Sequence, residues 1–373
     1  MKILISGDFC PQTRVTKLIE EEKYYEVFGE VLPYTKKAEL SIVNLEAPVV
    51  EHKAKGIDKC GPCLKGISKS VDAIKYAGFD VATLANNHFY DYGEIGVEDT
   101  LHACREKGIT TIGGGKNLQE ASQTAYFEVA GKTLAVINCC EHEFSIATEA
   151  TGGANPLNPI QQFYAIQDAR RKADHVLVIV HGGHEHYQLP SPRMKETYRF
   201  FIDAGADAVV NHHQHCYTGY EVYNGKPIYY GLGNFCFDRG EQASKIWQEG
   251  YMVMLDMTDD SISFELIPYV QARKEAGVKL VADRTEFNSE IRKFNDIIAD
   301  DEKLKEEHCK WMDKTSKGFL LALEPYRGRI LSGLYVRNLL PKFVNKKKTL
   351  RLINYLECEA HLERILNALK KNI

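Results

Sequence analysis

No stretch of this sequence approaches the ~18 consecutive apolar residues of a membrane-crossing helix, so none is expected. The opening MKILISGDF carries one lysine and a run too short for the hydrophobic region of a signal peptide, so a leader is not expected either. Internal repeats and low-complexity tracts are absent. Positive charge is not in excess: 47 Lys and Arg face 51 Asp and Glu, for a net charge of −4. That balance argues against a chain that binds nucleic acid by charge. Tryptophan is scarce, and Trp247 and Trp311 carry no pattern that can be read. Cysteine is not scarce. Ten cysteines without a leader predict reduced thiols in a cytoplasm rather than a disulfide framework.

What is present suits one large domain, or one domain and an extension. Apolar residues make up 44% of the 373, enough for a sizeable core. Residues 1–270 hold 25 basic against 36 acidic side chains (−11), and residues 271–373 hold 22 against 15 (+7). Near residue 275 the texture changes to charged helical patterns. The expected division is therefore a domain at 1–275 and a mainly helical, basic extension at 276–373.

Within the first part, strand-like runs alternate with helical ones, as in a layered α/β fold. KILIS, LSIV, FDVATLA, KTLAVINC, VLVIVH and AVVNHHQH read as strands. Between them lie a helical pattern from Leu18 to Val31 broken near Pro33, and helices over ISKSVDAIKYAG, Glu94–Lys107, Ile160–Arg171 and MKETYRFFIDAG. PIYYGLGNF, YMVMLDM and SISFELIP read as later strands.

Asp8, Glu46, Asn87, His181, His213 and His215 each lie at, or a few residues beyond, the end of a strand-like run. In α/β folds such ends converge on one face, where ligands bind. Two carboxylates, an amide and three imidazoles form a mixed oxygen and nitrogen set suited to Mn, Fe or Zn in a two-metal site. Two such ions activate a water and clamp a phosphoryl oxygen. The other reading makes these residues separate caps and turns.

Gly7-Asp8, VNLEAPV, DVATLANNHFYDYG, IGGGKNLQEA, HGGHEHY, DAGADAVVNHHQH and IYYGLGNFCFD occur in that order over about residues 1–270. Together they resemble the bacterial capsule-synthesis, or poly-γ-glutamate-synthesis, CapA-type family of the calcineurin-like metallophosphatase superfamily. The resemblance implies a four-layer α/β/β/α sandwich holding two divalent metal ions. Asp8, Glu46 and His215 would hold one ion; Glu46, Asn87, His181 and His213 would hold the other, with Glu46 bridging. His88 would be the general acid or transition-state donor, and Asp91 would orient it. Glu185 and His186 would face the substrate. The chain departs from the superfamily's pattern at Cys10, where a histidine is usual, at Gly182, where the family often has Trp, and at Asn211, where Gly is usual. Cys10 could ligate as a thiolate, leave its position to water, or fill an apolar gap.

Three features point elsewhere. Cys60-Gly-Pro-Cys63 has the letters of a redox motif but follows the loop KAKGIDK rather than a strand, and reads best as a turn. Gly113-Gly114-Gly115 could cradle an anion but reads first as a tight turn. From Pro341 to Ile373, 8 basic residues face 3 glutamates, and leucines give a partial apolar face. That helix would pack on its own domain or lie on a membrane surface.

The expected function is a metal-dependent hydrolase, most simply a phosphoesterase, acting on a phosphorylated or polyanionic substrate in capsule or poly-γ-glutamate synthesis. The alternative is a non-catalytic accessory subunit of a polymer-synthesis complex.

Overall fold

The computed structural model describes residues 1–371, the side chain of residue 317 excepted. In chain order the strands are β1 (Lys2–Phe9), β2 (Leu40–Leu45), β3 (Val81–Thr83), β4 (Thr110–Ile112), β5 (Gly114–Gly115), β6 (Ala125–Val129), β7 (Lys132–Cys140) and β8 (Gly153–Ala154). They continue as β9 (His175–His181), β10 (Ala208–His212), β11 (Tyr220–Tyr223), β12 (Lys226–Tyr229), β13 (Asn234–Cys236), β14 (Glu249–Met257), β15 (Ile262–Gln271) and β16 (Val278–Leu280).

One sheet runs β16-β15-β14-β1-β2-β3-β4, with β13 also paired to β1. Strands β1 to β4 are parallel, and β14 lies antiparallel to β1. The second sheet runs β11-β12-β10-β9-β7-β6, with β7, β9, β10 and β12 parallel. Side chains alternate along a strand, and the burial follows. Ile3, Ile5, Ile42 and Val81 of the first sheet join Leu134, Val136, Leu177, Ile179 and Val210 of the second in one core between the sheets. Leu4, Val43 and Ala82 point the other way and pack with Val15, Ile19, Val71, Ile74 and Val97 of the covering helices. Helices Pro159–Lys172 and Pro192–Asp203 cover the second sheet. The fold is a four-layer α/β/β/α sandwich with helices following it toward the C-terminus.

Local chemistry sets the starts of these helices. Asn158 accepts from Ile160 N at 3.0 Å and Ser191 from Met194 N at 3.2 Å, each just before a proline that needs no amide partner. Asp207 ties β10 to β9. Its Oδ2 accepts from Val176 N at 2.9 Å and from Arg170 at 2.5 Å, and Lys226 lies 3.1 Å from Oδ1. Burial raises the Asp207 carboxyl, but His175, the Val176 amide and the two cations outweigh it and bring the pKa down to about 2. A depressed acid stabilises the fold above its unfolded value and loses that contribution as pH falls toward the folded value. Asp207→Asn is therefore expected to cost on the order of 2 kcal/mol at pH 7, with the gap to the native protein closing between pH 4 and 2. Urea unfolding across that range checks it; a pH-independent gap would assign the loss to packing.

Several elements differ from the sequence reading. The pattern from Leu18 to Val31 falls on two short helices, Thr13–Glu20 and Tyr24–Phe28, and Pro33 lies in the first turn of a third, Leu32–Thr35, rather than ending the run. PIYYGLGNF is not one strand: β12 belongs to the second sheet and β13 to the first. The crossing depends on glycines. A Cβ on Gly7 would lie 1.9 Å from Gly233 O, and Gly233 has φ +80°. Gly113, also at positive φ, lies where a Cβ would meet Asn138 Oδ1 at 2.0 Å, so this glycine serves close packing.

The chain divides into two compact units, Met1–Lys305 and Glu306–Ile373. β16 and helix Thr285–Ala299, which lie beyond residue 275, fall in the first, and Phe287 and Ile291 of that helix enter the core between the sheets. In the second unit, helices Lys346–Glu357 and Glu359–Lys370 pair with each other, while Leu350, Leu356 and Leu369 are exposed. Among the described residues no helix is long and apolar enough to cross a membrane.

Candidate metal centre

Parallel strands carry their C-terminal ends to the same side, and both sheets do so here. Asp8 ends β1, Glu46 follows β2, Asn87 lies four residues past β3, His181 ends β9, and His213 and His215 follow β10. All six are buried, and the structure brings them together. Asp8, Glu46 and His215 present ligand atoms within 4.8 Å of one another, and so do Glu46, His181 and His213. Asn87 joins the second group, its Oδ1 3.1 Å from His181 Nε2.

Glu46 belongs to both groups. It is fully buried, 3.5 Å from His215 Nε2 and 3.8 Å from His181 Nε2, yet neither carboxylate oxygen has a hydrogen-bond partner among the described residues. Burial, with the nearby Asp8 charge, pushes its carboxyl well above the usual range. Asp8 differs. Burial raises it too, but the His212 contact and the charges of His181 and His215 outweigh this and hold it well below the usual carboxylate range. Burial, with the neighbouring imidazoles, lowers His181 far below its ordinary value; burial, with His213, brings His215 to about 4 against the opposing charge of Asp8. Neutral imidazoles and an anionic carboxylate are the forms in which these residues bind metal. An orphaned buried carboxylate is costly unless paired, so the donor set fits a pair of divalent cations.

The turn after β10 aims the histidines. His213 and His215 both have positive φ, +89° and +55°, a strained region for a side chain with a Cβ. His213 N donates to Asp8 Oδ2 at 3.3 Å, and Asn234 of β13 receives His215 Nδ1 at 2.9 Å. The glycine-dependent crossing of the chain thus delivers Asn234 to the centre.

His88 and Asp91 stand next to it. His88 Nδ1 lies 2.6 Å from Asp91 Oδ2, so its ring is fixed by a carboxylate. Asp91 also accepts from Leu64 N at 2.7 Å and pairs with Lys59 Nζ at 2.5 Å. Glu185 and His186 are half-exposed beside the buried cluster. His186 faces Trp247, with ring centroids 5.7 Å apart.

Some residues of this neighbourhood were not legible in the sequence. His212 was passed over in favour of its neighbours, yet its Nδ1 lies 3.2 Å from Asp8 Oδ1, off hydrogen-bond alignment. Asn44 donates to Asp8 Oδ1 at 2.7 Å and lies 3.3 Å from His181 Nδ1. Its place at the end of β2, two residues before Glu46, was the available signal. Lys59, in a loop that reads as solvated, has a buried ammonium. Trp247 packs against His215 with ring centroids 4.7 Å apart and the rings tilted by 41°. Cys10 packs in a small apolar cluster with Ala47, Phe237 and Trp247, and burial raises its thiol well above the ordinary value. Cys10→Ala is accordingly expected to leave the metal content unchanged. A loss of about one ion per chain on metal analysis would instead make the sulfur a thiolate ligand. Cys60 and Cys63 are unpaired thiols, and Cys63 Sγ lies 3.4 Å from Ile57 O within the turn.

Residues 2–239 match the family described as bacterial capsule synthesis protein PGA_cap. The chain belongs to that family. It is a family of the metallophosphatase-like superfamily, in accord with the layered fold and the histidine-carboxylate centre described here. The capsule biosynthesis protein CapA of Bacillus anthracis is 34% identical over 247 residues, which cover 64% of this chain and 60% of that protein. The PGA biosynthesis protein CapA of Bacillus subtilis is 34% identical over 238 residues, covering 63% and 62%. The chain thus spans about three fifths of the length of these relatives. The family match takes in every residue of the centre and ends before Trp247.

Proposed function

We propose that this protein is a divalent-metal-dependent hydrolase of phosphoesters that serves capsule polysaccharide or poly-γ-glutamate synthesis. The observation that carries the proposal is Glu46, a buried carboxylate without a hydrogen-bond donor, shared by two clusters of imidazole and carboxylate. Asp8, Glu46 and His215 would hold one ion, and Glu46, Asn87, His181 and His213 the other. Bound there, Mn, Fe or Zn ions supply Lewis acidity and an activated water.

The chain's own residues supply the rest. Asp91 holds His88 by Nδ1, which leaves Nε2 to give a proton to a leaving oxygen. Lys59 balances the Asp91 charge, so the carboxylate is buried without remaining unpaired. Asn44 and Asn234 orient Asp8 and His215. Glu185 and His186 would meet the substrate at the rim.

The test is metal analysis of purified protein, followed by assay of a panel of phosphomonoesters and phosphodiesters. Protein that takes up none of the three metals ends this reading. A metal-loaded protein without turnover on any of the panel makes it a binding or accessory subunit.

A further inference from the structure

Arg239 lies on the rim of the metal centre with its side chain set in place and nothing to bind. Its guanidinium carbon is 3.5 Å from the centroid of the Trp247 ring and 5.5 Å from that of Phe237. Trp247 itself is held fast. It is buried, its indole N–H donates to Phe237 O at 2.8 Å, and its carbonyl accepts from Asn234 and Gln271 at 3.0 Å each. The backbone on either side of Arg239 is fixed as well. Asp238 is buried and pairs with Arg14, accepts from Thr13 Oγ1 at 2.7 Å, and receives Gly240 N at 2.7 Å.

The guanidinium therefore lies over an aromatic platform, and its N–H groups are left for something else. Among the described residues no carboxylate lies within 4.0 Å of it and it makes no hydrogen bond; burial against the rings disfavours its charge, and the more distant Glu185 and Glu46 offset this only in part. The same tryptophan ring packs against His215 of the metal centre and against His186. An arginine held over an indole loses little freedom on binding, and its planar fork matches the two oxygens of a carboxylate or a phosphate.

We propose that Arg239, seated on Trp247, is the receptor for an oxyanion of the ligand, so that the centre takes molecules bearing an anionic group next to the one held at the buried cluster. Phosphate and carboxylate share this chemistry. The proposal deepens the hydrolase reading by naming a feature of its substrate, and rests on that reading for the metal-held anion beside Arg239.

Calorimetric titration of the purified protein with inorganic pyrophosphate and, separately, with γ-glutamylglutamate tests it, using native protein, Arg239→Gln and Arg239→Lys. The native protein is expected to bind at least one probe. The glutamine variant should bind that probe at least about tenfold more weakly, as follows from losing charge-assisted hydrogen bonds. The lysine variant should recover only part of the loss, because an ammonium cannot form the fork. Which probe responds identifies the oxyanion as phosphate or carboxylate, and either supports the proposal. Equal affinity of native and glutamine proteins, or no binding of either probe by the native protein, overturns it. Metal analysis of the same samples separates this failure from the other: protein that takes up no metal ends the hydrolase reading and with it the anion held at the buried cluster, whereas metal-loaded protein with equal affinity in the native and glutamine forms ends this proposal alone.

Discussion

Glu46→Gln is expected to strip the protein of both metal ions while leaving its fold intact. Glutamine has the size of glutamate and keeps one oxygen, but it carries no charge and turns an amide N–H₂ toward the ions. Glu46 is shared by both ligand groups, so its loss should lower the content from about two ions per chain toward none. His181→Ala removes a ligand of one group only and should spare the Asp8 and His215 position. The metal-free proteins should rank the other way. A fully buried carboxylate with both oxygens unpartnered is a burden on the empty fold. After chelation, Glu46→Gln should therefore melt at or above the native protein, whereas with metal present it should melt below. Metal analysis and thermal unfolding with and without chelator measure both. Retention of full metal by the glutamine variant would remove Glu46 from the centre.

The second large effect is on turnover. His88→Asn should keep metal content near that of the native protein and lower turnover on any accepted phosphoester by roughly 10²–10⁴-fold, the usual scale for an acid–base group. The reason is geometric. His88 is tied to Asp91 at 2.6 Å and is not a member of either ligand cluster. Asparagine offers a polar group but no exchangeable ring proton. Metal and activity lost together would make His88 structural. Asp91→Asn should fall between the two, because it frees the ring without removing it. It should also cost stability, since it unpairs the buried Lys59 ammonium.

Much of the centre was legible because its candidate ligands sit at strand ends. An apolar run that stops on Asp8, or on His181, tells where a side chain leaves the core, and parallel strands put such ends on one side. Lys59 was illegible for the opposite reason. KAKGIDK has the composition of a solvated loop, and only the fold shows that its last lysine turns inward onto Asp91. Trp247 and Arg239 lie far in sequence from the β9 and β10 motifs, and no spacing connects an indole at 247 to an imidazole at 215.

By itself the sequence determined the alternation of strands and helices, the burial of the central strands, and the set of oxygen and nitrogen side chains at their ends. These follow from local periodicity and residue chemistry. Only the tertiary structure decided that Asp8 and Glu46 of one sheet meet His181, His213 and His215 of the other, that PIYYGLGNF divides between the two sheets, and that Glu46 is left without a donor. A continuous apolar run states that a strand is buried on both faces, but not what is stacked against either. Whether a buried carboxylate finds a partner depends on groups more than a hundred residues away, brought within a few ångströms by the packing of the two sheets.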